Sequence, residues 1–97
     1  MTATLTAHQR SLLEEALYNV DGLADEDVYK GYSGRAMYGS TCFGLTLNDE
    51  RQYGRFLVEL ATTDHDLAID LAERVTTDQL GLGQIFYFPG LDWSESA

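Results

Sequence analysis

Among the residue types that do covalent or acid–base chemistry, this 97-residue chain is rich in carboxylates, sixteen of them, and poor in thiols and imidazoles. The only cysteine, Cys42, and the two histidines, His8 and His65, are the nucleophile and bases that a thiol mechanism requires. Sequence spacing pairs neither histidine with the thiol. Cys42 also opens the apolar run Cys42-Phe43-Gly44-Leu45-Thr46-Leu47, where a free cysteine behaves as a small core residue. Asp64-His65-Asp66 has the ligand types of a metal site. On a helix, however, neighbours point about 100° apart, so the three cannot close on one ion without distant ligands. Their expected work is to stabilise a helix N-terminus. No spacing pairs two carboxylates for acid–base catalysis. Neither phosphate-binding glycine motif occurs: Lys30 precedes the glycines, and Gly81-Leu82-Gly83 leads into a strand rather than a helix. The expectation is a chain without catalytic residues, metal or cofactor.

Two stretches then stand out for binding. From Tyr29 to Leu47 the chain carries Gly31, Gly34, Gly39 and Gly44 among Tyr29, Tyr32, Tyr38 and Phe43. Glycines at this density mark unusual backbone angles or close approach, and the aromatics give the segment something to bury. Tyr32, Arg35 and Tyr38 are the candidate partner contacts there. Arg35 has two arrangements open to it, an ion pair with an acid such as those of Asp25–Asp27 or stacking on Tyr32 or Tyr38. The second stretch is the helix-patterned segment after Asp64, where Asp66, Asp70 and Glu73 recur at i, i+4 and i+7. Four residues of helix rise about 6 Å, a scale close to the charge spacing along a nucleic-acid strand. Such a row could imitate phosphates, and the bland alternative is a solvated helix face.

The elements that must position these residues follow from periodicity. Thr6-Ala7-His8-Gln9 fits a capping box, and Leu12, Leu13, Ala16, Leu17 and Val20 form one helical stripe ended by Gly22. Val28–Tyr32 and Cys42–Leu47 read as strands, the latter by alternation of Phe43, Leu45 and Leu47. A second helix spans residues 49–61, capped by Asn48, with Tyr53, Phe56, Leu57 and Leu60 turned to the core. Gly54 lies inside it and suggests close approach to the backbone. Thr63 is the expected cap of a third helix running to Val75. After Thr76-Thr77-Asp78, Leu80–Gly83 reads as a short turn, and Gln84–Phe88 as the strongest strand. The order α–β–β–α–α–β implies an α+β fold: one domain over residues 1–97, a short antiparallel sheet with helices on one side, and frayed ends at 1–5 and 93–97.

Composition narrows the partners. Sixteen acidic against six basic residues give −10, which disfavours direct binding to nucleic acid or anionic membranes and suits a protein with a basic surface. With one cysteine there is no internal disulfide, and no apolar run approaches a membrane span, so a cytoplasmic protein is expected.

The string Tyr32-Ser33-Gly34-Arg35-Ala36-Met37-Tyr38-Gly39-Ser40-Thr41-Cys42-Phe43-Gly44 resembles an element of small uncharacterised bacteriophage proteins. There a Tyr-Ser-Gly-Arg, Met-Tyr-Gly and Cys-x-Gly series recurs. The resemblance covers about thirteen residues, and it implies a phage accessory protein in the host cytoplasm that binds a host or defence protein. The leading expectation is therefore a non-enzymatic inhibitor-type binding protein, with Asp66, Asp70 and Glu73 as a nucleic-acid-mimicking surface. Two alternatives are a self-associating assembly protein, for instance a homodimer, and a small ligand-binding domain centred on the Tyr/Gly stretch.

Overall fold

The computed structural model describes residues 3–23, 25–33, 40–81 and 83–93. Nine elements follow one another: β1 (Ala3–Thr4), α1 (Ala7–Asp21), β2 (Val28–Tyr32), β3 (Cys42–Leu47), α2 (Glu50–Ala61), α3 (His65–Arg74), β4 (Thr76–Leu80), β5 (Gly83–Tyr87) and β6 (Leu91–Asp92). A short 3₁₀ turn, Asp25–Asp27, precedes β2. The architecture is α+β, a single small domain. Its main sheet is antiparallel with strand order β2-β3-β5-β4, and β1 and β6 form a separate parallel pair.

Helices start and stop where the side chains satisfy backbone ends. Thr6 and Gln9 form the capping box of α1, and Gly22 closes it at φ 66°, a left-handed angle that glycine adopts without cost. Asp49, not Asn48, caps α2 by accepting from the Gln52 amide. The Gln52 side chain instead accepts from the Asn48 amide at 2.8 Å. Asp64, not Thr63, caps α3 through the Leu67 amide. A carboxylate at that position also gains from the helix dipole, which a threonine does not.

Strand alternation divides the core. Phe43, Leu45 and Leu47 of β3 and Phe86 and Phe88 at β5 join Leu13, Leu17, Phe56, Leu60, Leu67 and Leu71 of the three helices in one buried cluster. Period 2 sends Cys42, Ile85 and Tyr87 to the other face, where they meet Tyr32 in a second cluster. The helices thus cover one face of the sheet, as expected. Leu57, expected in the core, is only partly buried at its edge.

Three departures from expectation share one cause, long-range pairing that local pattern does not encode. Thr76–Leu80, which no strand pattern marks, is a strand, paired antiparallel with β5 from Thr76–Tyr87 to Leu80–Gly83. Its sequence is polar because it lies at the sheet edge, with Thr77, Asp78 and Gln79 exposed. Residues 3–5 and 93, within the ends expected to fray, take part in the fold. Ala3 and Thr4 pair with Leu91 and Asp92, Leu5 is buried, and Trp93 is 1% exposed. Among the described residues no helix is long and apolar enough to cross a membrane.

Tyr53 of α2 stacks on Phe86 at 4.8 Å with the rings 9° apart. Its buried hydroxyl has no hydrogen-bond partner among the described residues. Burial alone raises its pKa to about 12. A buried unpaired hydroxyl costs about 1–3 kcal/mol of desolvation, whereas the ring is fully used. Tyr53→Phe is therefore expected to raise stability by about 1 kcal/mol. A denaturation midpoint below that of wild type would show that the hydroxyl contributes a bond after all.

Candidate functional site

The six residues expected to contact a partner do not converge. Asp66, Asp70 and Glu73 lie on α3, in the helical layer, while Tyr32 belongs to the cluster on the opposite sheet face. Arg35 and Tyr38 lie outside the described residues, as do the other residues of 34–39.

Tyr32 is buried rather than presented, at 9% exposure. Gly31, at φ 93°, sits where the β2–β3 register shifts between Lys30 and Tyr32. This bulge turns Tyr32 to the same side as Tyr29, and their rings meet edge-on at 5.7 Å. The Tyr32 ring packs on Tyr87 at 4.7 Å. Its hydroxyl donates to Asp78 Oδ2 at 2.7 Å, linking the two edge strands β2 and β4 across the face of β3 and β5. This bond to a carboxylate, with burial, raises the tyrosine pKa to about 12. Gly44 makes the arrangement fit. A Cβ there would stand 2.7 Å from Ile85 Cδ1 and 3.1 Å from Tyr87 Cβ, so the Ile85 side chain occupies the space above the glycine. The aromatic face is thus a built cross-sheet strap. Asp78, to which local pattern assigns no role, is its acceptor.

Cys42 is fully buried in this cluster, and burial pushes its thiol pKa up. A thiol held protonated is a poor nucleophile. His8 and His65 are exposed on α1 and α3, in the layer on the other side of the sheet. Among the described residues no group of three or more histidines, cysteines or carboxylates is placed to hold a metal ion.

The acidic row on this helix is altered by Arg74, four residues after Asp70. Arg74 Nε donates to both oxygens of Asp70, at 3.0 and 3.1 Å, and its Nη1 donates to the Pro89 carbonyl at 3.1 Å. Asp70 is therefore paired, and the pair fastens the end of α3 to the turn before β6. Asp66 and Glu73 are exposed and make no ion pair among the described residues. Ile69 shares their face and is 43% exposed. An apolar side chain among carboxylates was missed in the sequence because Ile69 lies outside the apolar stripe of Leu67 and Leu71.

A further concave surface lies between α1 and α2, a groove of about 570 Å³ lined by Asn19, Val20, Arg51, Gly54, Val58 and Glu59, with Arg55 beside them. Arg55 is already engaged. It donates to the Val20 carbonyl at 2.8 Å and pairs with Asp21 at 3.2 Å. The Gln52 side chain also donates to Asp21, at 2.9 Å, and these bonds, Gln52 first, lower the Asp21 pKa. Gly54 has nothing within 4 Å of where a Cβ would stand, so no contact inside the described fold requires a glycine there. It nevertheless costs the helix about 1 kcal/mol relative to alanine.

No family model matches the chain, and no curated protein or solved structure matches it significantly.

Proposed function

We propose that the chain is a non-enzymatic acidic binding protein that engages a basic protein partner through the exposed face of α3. The observation that carries this reading is Ile69, 43% exposed on the face that bears Asp66, Asp70 and Glu73. An apolar anchor with a charged surround is the composition of a protein-contact patch, since the anchor supplies burial and the rim supplies orientation and rate. Ile69 adds apolar contact area beside the row that a wholly charged helix face lacks. The Arg74–Asp70 pair weakens phosphate mimicry and favours a partner that offers an apolar seat between two cations. Asp66 and Glu73, seven residues apart, are separated by about 10.5 Å along the axis. The phage-protein resemblance makes a host or defence protein the class of target, and inhibition the expected outcome of occupying its basic surface.

The test replaces Asp66 with Asn and Glu73 with Gln, leaving the Asp70–Arg74 pair intact, and separately replaces Ile69 with Ser. Both positions of charge lie outside the core, so the denaturation midpoint should hold. Affinity for a partner captured on the wild-type chain should fall at least tenfold, about 1.4 kcal/mol, in each variant. The charge variant should lose chiefly association rate and salt dependence, and the Ile69 variant should dissociate faster. If both variants bind as wild type does at physiological salt, α3 is an ordinary solvated face and the proposal falls.

A further inference from the structure

We propose that the α1–α2 groove is the interface of a two-fold symmetric homodimer, its occupant being the α2 ridge of a second copy. Three observations meet there. Val58 is 67% exposed, a β-branched apolar side chain left at the surface beside a concave wall. Gly54 lies one turn before it with open space where a side chain would be, so another backbone or ridge can approach to contact. Arg51 makes no ion pair among the described residues, whereas Glu59 lines the same groove at the far end.

The charges are self-complementary. Arg51 and Glu59 are eight residues apart, about 12 Å along α2. An antiparallel approach of two α2 helices about a midpoint at Arg55 sets each Arg51 against Glu59 of the partner subunit. The same operation lowers Val58 into the hole around Arg51, Gly54 and Arg55 of the second copy, a ridge entering a groove. Such an isologous contact uses one patch twice, so each favourable pair is made twice. The residue on the axis, Arg55, would meet its own copy, and its charge is already balanced by Asp21 at 3.2 Å. The net −10 on each chain opposes association. At physiological ionic strength the Debye length of about 8 Å confines that repulsion, while close pairs persist. The α3 face remains free, so a dimer would present two acidic patches and could bind a repeated basic surface with avidity.

Sedimentation velocity of the full chain over a range of concentrations is the test. A reversible dimer is expected in physiological salt. Gly54→Leu fills the groove while favouring the helix, and it should shift the dimer constant at least tenfold toward monomer. Arg51→Glu should do the same, and the charge exchange Arg51→Glu with Glu59→Arg should restore the dimer. A chain that stays monomeric at its highest soluble concentration overturns the proposal. So does a dimer indifferent to Gly54→Leu, or one lost with Arg51→Glu and not recovered by the exchange. None of these substitutions touches α3, so failure here leaves the partner-binding face to be judged by its own variants.

Discussion

Replacing Trp93 with alanine is expected to lower the unfolding free energy by about 3–5 kcal/mol, the cost of deleting a buried aromatic and leaving its cavity. Trp93 is among the largest fully buried side chains, and its ring meets Phe43 edge-on at 5.3 Å. The Lys30 ammonium stands 5.8 Å from the ring centroid, and Arg10 Nη1 donates to the Trp93 carbonyl at 3.4 Å. More is lost than one ring. Trp93 directly follows β6, whose pairing with β1 rests on two register pairs and the bonds Ala3 N to Gly90 O and Leu5 N to Asp92 O. Two-residue strands have little stability of their own, so the Trp93 ring, with the buried Leu5 and Leu91, holds β1 and β6 on the fold. For a domain of this size each kcal/mol moves the melting temperature by about 4–8 °C, so a drop of about 12 °C or more is expected by far-ultraviolet circular dichroism. A shift of only a few degrees would mean that the chain ends are held by something else.

Truncating Leu60 to alanine is expected to cost about 2–5 kcal/mol, and Leu57 to alanine clearly less. Both are leucines of α2 three residues apart, but Leu60 is fully buried while Leu57 lies at the rim of the cluster. Leu60 leaves a cavity that the surrounding side chains cannot fill, whereas a half-exposed site collapses into solvent. Urea denaturation of the two variants side by side measures the difference. Equal costs would mean that the buried face of α2 is rotated toward Leu57 from the phase set by Tyr53, Phe56 and Leu60.

The helices were legible because their signals are local. The capping box at Thr6 and Gln9, the left-handed stop at Gly22 and the stripes of α1, α2 and α3 each occupy a few consecutive residues, and period 3.6 makes them visible. The strands β2 and β3 have the bounds expected from sequence, Val28–Tyr32 and Cys42–Leu47, the second by alternation. The caps at Asn48 and Thr63 missed by one residue. Asparagine, threonine and aspartate all cap well, and the choice falls to which carboxylate reaches the amide three residues on.

What the chain does at its surfaces was harder to read. Asp66, Asp70 and Glu73 share a helix face by spacing alone, but that Arg74 takes Asp70 out of the row also depends on the Pro89 carbonyl that holds the guanidinium in place. Ile69 and Val58 looked like unremarkable positions until neighbouring elements left them uncovered.

Local pattern by itself determined the class α+β, three amphipathic helices and the strands on either side of the glycine-rich string, and composition the net charge of −10. Tertiary structure alone decided the rest. The polar segment Thr76–Leu80 is a strand because β5 offers it a ladder, and Ala3–Thr4 is one because Leu91–Asp92 returns to meet it. Tyr32 is buried with its hydroxyl donating to Asp78, 46 positions away, across the sheet. In each case the stabilising partner is distant in sequence. A backbone hydrogen bond or a buried hydroxyl depends on where the fold places that partner, which residue type and spacing along the chain do not specify.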